Sequence, residues 1–267
     1  MADGLHAFDG AVAIVTGAGS GIGKALSEVL AMRGARVVLT DIDLSDAEAV
    51  ARQIRDKGGQ ASASQLDVCS FGDFRALVKE TAEQLGRVDY LFNNAGIGVL
   101  GEVADYTIDS WDRIIGVNLR GVINGVQCVY PLMLRQGFGH IVNTASMAGL
   151  TTSPGMVSYM TTKHAVVALS RGLRAEAQSR GVRVSVFCPG VIRTPGLQGG
   201  KHGIFLGSVL PKRDNGRSPS SSSSVFVRCP RRCSRRRHWT RSPGTRGPSS
   251  SRHGGGYYGG SNARRPL

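Results

Sequence analysis

Between residues 10 and 195, short β-branched runs alternate with longer stretches whose apolar residues recur at helical spacing. Few folds are open to a chain built that way. The runs at 11–16, 35–40, 88–92, 139–144 and 182–187 read as strands, with 61–66 as a further candidate. Between them, 21–33, 44–57, 71–85, 108–136 and 157–180 read as helices. A strand that is followed each time by a helix implies right-handed crossovers. The expected fold is therefore α/β, a doubly wound parallel sheet with helices on both faces.

The alternation stops near residue 205, which divides the chain into a domain over 1–205 and a tail over 206–267. Residues 218–224 are serine apart from Pro219, seven arginines fall between 228 and 241, and 254–260 is Gly-Gly-Gly-Tyr-Tyr-Gly-Gly. Such a composition buries too little apolar surface to offset the entropy of ordering, so disorder is expected there. The formal charge of +14 belongs to this end of the chain. From residue 201 onward there are 15 lysines and arginines against one acid, Asp214, whereas the first 200 residues are balanced. The domain thus carries no nucleic-acid signature. The tail's Arg, Gly and Tyr fit a non-specific nucleic-acid contact, although an unselected or solubilising tail is the preferred reading.

Five cysteines, Cys69, Cys128, Cys188, Cys229 and Cys233, form an odd and scattered set that suits a reducing compartment better than a disulfide framework. No apolar run approaches the ~18 residues of a membrane span, and the first six residues do not resemble a secretory leader. A cytoplasmic location is expected. Cys229, Cys233 and His238 sit among cations that would repel a metal ion, and no metal is expected. His140 and His164 are read as structural.

The first strand runs into Thr16-Gly-Ala-Gly-Ser-Gly-Ile-Gly23, and a helix opens directly after it. Glycines allow a tight turn with positive φ and let a pyrophosphate approach bare backbone, while the helix N-terminus supplies free N–H groups. Asp41 closes the second strand, 18 residues after Gly23. A carboxylate there can accept from both ribose hydroxyls and would repel a 2′-phosphate. The residue before Gly21 is Ser20 rather than a cation, so NAD is expected in preference to NADP. Tyr159 and Lys163 stand four residues apart on a predicted helix and therefore share a face. A phenol with a reference pKa near 10 is a poor base at neutral pH, and a neighbouring ammonium would lower that value.

Thr16-Gly-x-x-x-Gly-x-Gly23, Asn93-Asn-Ala-Gly96, Asn118, Ser146, Tyr159-x-x-x-Lys163 and Pro189-Gly190 occur in the order and spacing of the short-chain dehydrogenases/reductases. The chain resembles that family from residue 8 to about 197. The resemblance implies a Rossmann-type fold and hydride transfer between NAD(H) and a secondary alcohol or ketone. It implies Gly17, Ser20, Gly21, Ile22 and Gly23 at the pyrophosphate and Asp41 at the adenosine ribose. Asp67 and Val68 would flank the adenine, and Asn94, Ala95 and Gly96 would run beside the cofactor. Ile192 and Thr194 would lie at the nicotinamide. Tyr159 would exchange the proton and Lys163 would hold the nicotinamide ribose. Ser146 would bond the substrate oxygen, and Asn118 would hold a water in a relay to solvent.

The partner so implied is a small alcohol or ketone, and the family's habit is a homodimer or homotetramer. The family continues past Pro189-Gly190 with a covering loop, helices and a last strand. No such strand is recognisable here, which puts assembly and turnover in doubt. The Arg, Ser, Pro and Gly mix is what a reading-frame change in GC-rich DNA would yield. The alternative reading is a cofactor-binding relative whose altered C-terminus impairs catalysis.

Overall fold

The computed structural model describes residues 8–192 and 203–206. Six strands form one parallel sheet: β1 (Val12–Thr16), β2 (Arg36–Asp41), β3 (Gln60–Gln65), β4 (Tyr90–Asn93), β6 (Gly139–Thr144) and β7 (Val182–Phe187). Their order is β3-β2-β1-β4-β6-β7. The chain winds outward from β1 through β2 to β3, then returns to the centre and winds the other way from β4. The order therefore reverses between β1 and β4, and a crevice opens beyond the carboxyl ends of those two strands.

Side chains alternate across the sheet, which gives each face its own core. Ile14, Val38, Leu91 and Ile141 point to one face, where they pack on α3 (Phe71–Leu85) and α5 (Gly121–Gln136). Ala13, Val15, Val37, Leu39, Tyr90 and Phe92 point to the other, against α1 (Gly21–Met32) and α2 (Leu44–Asp56). α6 (Val157–Ala177) adds Val166, Val167, Leu173 and Ala177 to the first side. Most of these residues are no more than 9% exposed, as expected when strands are covered on both faces.

The elements follow the sequence pattern closely, with three departures. The long helix expected over 108–136 is α4 (Ile108–Ile115), a π-helical turn at Gly116–Arg120, and α5. A π turn inserts one extra residue into the helical repeat, which hydropathy spacing does not register. The other two departures are the three-residue strands β5 (Gly98–Leu100) and β8 (Gly203–Phe205), which pair in parallel as a separate small sheet. Each is too short to show a period. Apart from Leu206, the expected tail lies outside the described residues, as do Cys229, Cys233 and His238. No helix among the described residues is long and apolar enough to cross a membrane.

Candidate active site

A cleft of about 700 Å³ follows the carboxyl ends of the strands, and each strand contributes to it in spatial order. Asp67 and Val68 come from the segment after β3, Asp41 from β2, and the glycine turn from β1. Asn94, Ala95 and Gly96 follow β4, Ser146 follows β6, and Ile192 follows β7.

The turn after β1 takes its shape from glycine. Gly17 and Gly21 have φ of 64° and 52°, a region that residues bearing a Cβ rarely adopt. A Cβ at Gly17 would come within 2.8 Å of the Ala95 Cα, so the turn lies directly against the β4 segment. The Thr16 hydroxyl accepts from the Asn94 and Ala95 amides at 2.9 and 3.0 Å, and the Asn94 side chain donates to the Thr16 carbonyl at 3.0 Å. These bonds lock the two halves of the sheet together at the crevice. Ser20 caps α1 with extended backbone but makes no side-chain bond to the helix, so its hydroxyl and the helix's first turn face the cleft with Gly17, Gly21 and Ile22. At Gly23 the turn and the helix pack closely. A Cβ there would fall 2.0 Å from the Gly17 carbonyl oxygen, so Gly23 packs the helix against the underside of the turn.

Asp41 is 6% exposed and lines the cleft. Its carboxylate accepts from the Gly19 amide at 3.0 Å and from the Asp43 amide at 3.2 Å. It is therefore held in place by the turn it faces, rather than forming the merely solvated strand end that Asp41 and Asp43 could otherwise suggest.

At the β6 and β7 end, Ser146 and Tyr159 both line the cleft. The Ser146 hydroxyl donates to the Pro189 carbonyl at 3.5 Å and accepts from the Ala148 amide at 3.1 Å. Burial pushes the Tyr159 phenol above its ordinary value, and the neighbouring Ser146 hydroxyl opposes that rise. The expected depression by Lys163 does not appear. The Lys163 ammonium lies 5.6 Å from the Tyr159 ring centre and donates to the Thr144 carbonyl at 2.8 Å. Only 3% exposed, Lys163 is pulled down to about 8 by burial, partly offset by Cys188.

Asn118 joins two elements behind the cleft. It sits in the π turn, fully buried behind the cleft wall, with its amide engaged by protein groups. Its oxygen accepts from the Ile97 amide at 2.8 Å, while its nitrogen donates to the Ile97 carbonyl at 2.9 Å and the Thr162 hydroxyl at 3.3 Å. The Thr162 hydroxyl in turn donates to the Tyr159 carbonyl at 2.8 Å. The side chain thus fastens the post-β4 segment to α6. Thr194 lies outside the described residues.

Several wall residues escaped the sequence reading, among them Ile97, Leu100, Arg113, Thr144 and Met147. Thr144 could have been found as the residue ending β6 two positions before Ser146. The others enter through tertiary packing and carry no local signal. His140 and His164 are structural, bonded to the Ser185 hydroxyl at 2.8 Å and the Met160 carbonyl at 2.9 Å. No group of three or more metal-ligating side chains occurs among the described residues.

The short chain dehydrogenase family model matches residues 11–202. Cyclohexanol dehydrogenase of Acinetobacter sp. (strain SE19) is 38% identical over 189 residues, covering 70% of this chain and 75% of that protein. A short chain dehydrogenase/reductase from Burkholderia phymatum, solved in complex with NAD, superposes with a TM-score of 0.70 at 39% identity, covering 72% of this chain and 69% of the other. An NAD⁺-bound xylitol dehydrogenase gives 0.67 at 36% identity, covering 68% and 71%.

Proposed function

The chain belongs to the short-chain dehydrogenase family, and from that premise we propose that it interconverts a secondary alcohol and its ketone with NAD(H). The observation that carries the proposal is the pairing, in one cleft, of the glycine turn facing Asp41 with the Ser146 and Tyr159 side chains. Relatives solved with NAD bound support the cofactor class.

The residues fit a dinucleotide. Gly17, Ser20, Gly21 and Ile22 would hold its pyrophosphate against bare backbone and a helix N-terminus, with Gly23 packing the turn from below. Asp41 would accept from the adenosine ribose and disfavour a 2′-phosphate, hence NAD over NADP. Asp67 and Val68 would border the adenine, and Asn94, Ala95, Gly96 and Ile192 would line the path to the nicotinamide. When bound, the nicotinamide supplies the hydride acceptor or donor.

The chain's own residues handle the proton. Ser146 orients the substrate oxygen toward the Tyr159 hydroxyl, which takes the alcohol proton in one direction and returns it in the other. Lys163, held by the Thr144 carbonyl beside that phenol, would hold the nicotinamide ribose. Asn118 and Thr162 set the position of Tyr159 through its backbone.

The test is a panel of secondary alcohols and ketones with NAD and NADP, run beside Tyr159→Phe. We expect NAD-dependent turnover that falls about 10²- to 10⁴-fold in the variant, with NAD binding retained. Undiminished turnover by Tyr159→Phe would remove the proposal.

A further inference from the structure

We infer that the substrate is an uncharged and largely apolar secondary alcohol or ketone, and that polyols and hydroxy acids of equal carbon count are disfavoured. The inference rests on the oxidoreductase reading above and names what that site accepts.

The cleft is chemically sorted along the sheet. Its carboxylates, Asp41 and Asp67, belong to the β2 and β3 end. Arg113 stands one turn before Gly116, where a Cβ would lie 3.4 Å from the Cys69 sulfur, so it belongs to that end as well. Lys163 is buried and turned to the Thr144 carbonyl. At the β6 and β7 end, around the Ser146–Tyr159 pair, the wall is made by Ile97, Leu100, Met147, Met156, Val191 and Ile192. The Gly101 amide donates to the Gly155 carbonyl at 2.9 Å, which brings Leu100 and Met156 together across this end.

Polar capacity there is already engaged. The Thr151 hydroxyl donates to the Met147 carbonyl at 3.0 Å, and the Ser146 hydroxyl bonds the Ala148 amide at 3.1 Å and the Pro189 carbonyl at 3.5 Å. The Thr144 hydroxyl is buried, so among the described residues the Ser153 side-chain hydroxyl is left to meet any further substrate oxygen. One alcohol oxygen is therefore well provided for, and a row of them is not. A buried hydroxyl without a partner, and still more a carboxylate, is penalised heavily in such surroundings. The apolar character continues to the rim, where Met147 and Ile192 are 44 and 41% exposed. An exposed apolar patch of this kind marks a surface that a ligand covers.

The experiment compares 2-propanol through 2-octanol and cyclohexanol with a hexitol and a six-carbon 2-hydroxy acid, all with NAD and the full-length chain. Expected is a rise in kcat/KM of about fourfold per added methylene until the pocket fills, with the hexitol and hydroxy acid at least about a hundredfold below 2-hexanol. Leu100→Asn and Met156→Gln should flatten the rise while leaving the Kd for NAD unchanged. A flat series, or preference for the hexitol or the hydroxy acid, overturns the inference and leaves the oxidoreductase reading standing. Calorimetry on the NAD-loaded Tyr159→Phe variant separates the two in the other direction. If no compound is turned over yet 2-hexanol still binds more tightly than the hydroxy acid, the substrate class holds and the catalytic reading falls. If binding shows no such order, the inference falls with it.

Discussion

Tyr159 and Asn118 illustrate how differently two polar side chains can serve one site. Burial holds the Tyr159 phenol above its ordinary value, so the protonated form predominates at neutral pH in this geometry. Alcohol oxidation needs the phenolate and carbonyl reduction needs the phenol. Oxidation is therefore expected to climb as pH rises from neutral into the alkaline range while reduction declines, and kcat/KM profiles in both directions would check this. A flat oxidation profile would show that the phenol does not carry the proton. Asn118 acts at one remove, through two bonds to Ile97 and one to Thr162. Asn118→Ala strands the Ile97 amide and carbonyl in a buried setting, at a cost of about 1–3 kcal/mol. Urea unfolding should register that loss, and kcat should fall further than NAD affinity because Thr162 carries the disturbance to Tyr159.

At the scale of elements, β6 carries both a site residue at its end and a pH liability in its body. His140 pairs in register with Arg183 of β7, and its ring bonds the Ser185 hydroxyl. Burial, and then the Arg183 charge, bring it down to about 4 from the usual 6.5. A base whose folded pKa is depressed is neutral in the fold but protonated in the unfolded chain between those two values. Its contribution to stability is therefore complete above pH 6.5 and drains away as pH falls toward 4. The melting temperatures of the native chain and His140→Gln should differ by a constant amount above pH 6.5 and converge below it. A gap that is independent of pH would contradict the assignment. The π turn between α4 and α5 shows the opposite economy. One inserted residue turns Asn118 toward Ile97, a local irregularity of the kind that gathers at functional sites.

For the whole molecule, the placement of the cleft follows from topology. Because strand order reverses between β1 and β4, the crevice forms beyond the carboxyl ends of those strands. The described lining runs from Gly17 to Ile192, whereas the net charge of +14 arises after residue 200. Removing residues 207–267 should accordingly leave the Kd for NAD unchanged. Any salt-sensitive nucleic-acid binding should go with the removed segment. A fluorescence titration with NADH and a gel shift at two salt concentrations would measure both.

Much of this was legible in the chain because the signals are local. Strand and helix periods lie within a few residues of one another, and the glycine turn announces itself by composition and by its place between β1 and α1. Tyr159 and Lys163 needed only the helical repeat to be put on one face. Other features depend on pairs far apart in sequence, which local patterning does not encode. β5 and β8 are three residues each and exist only because they meet each other. The burial that raises Tyr159 and lowers Lys163 comes from neighbours brought in by the fold, and the expected ammonium effect on the phenol does not appear. The contacts of Gly23 and Asn118 likewise come from packing between segments distant in sequence. Residue types and periods determined the architecture and the chemistry available to it, because those follow from backbone geometry and side-chain identity. Which groups reach the cleft, and in what protonation state, was decided by tertiary structure, because burial and distance are properties of the assembled fold.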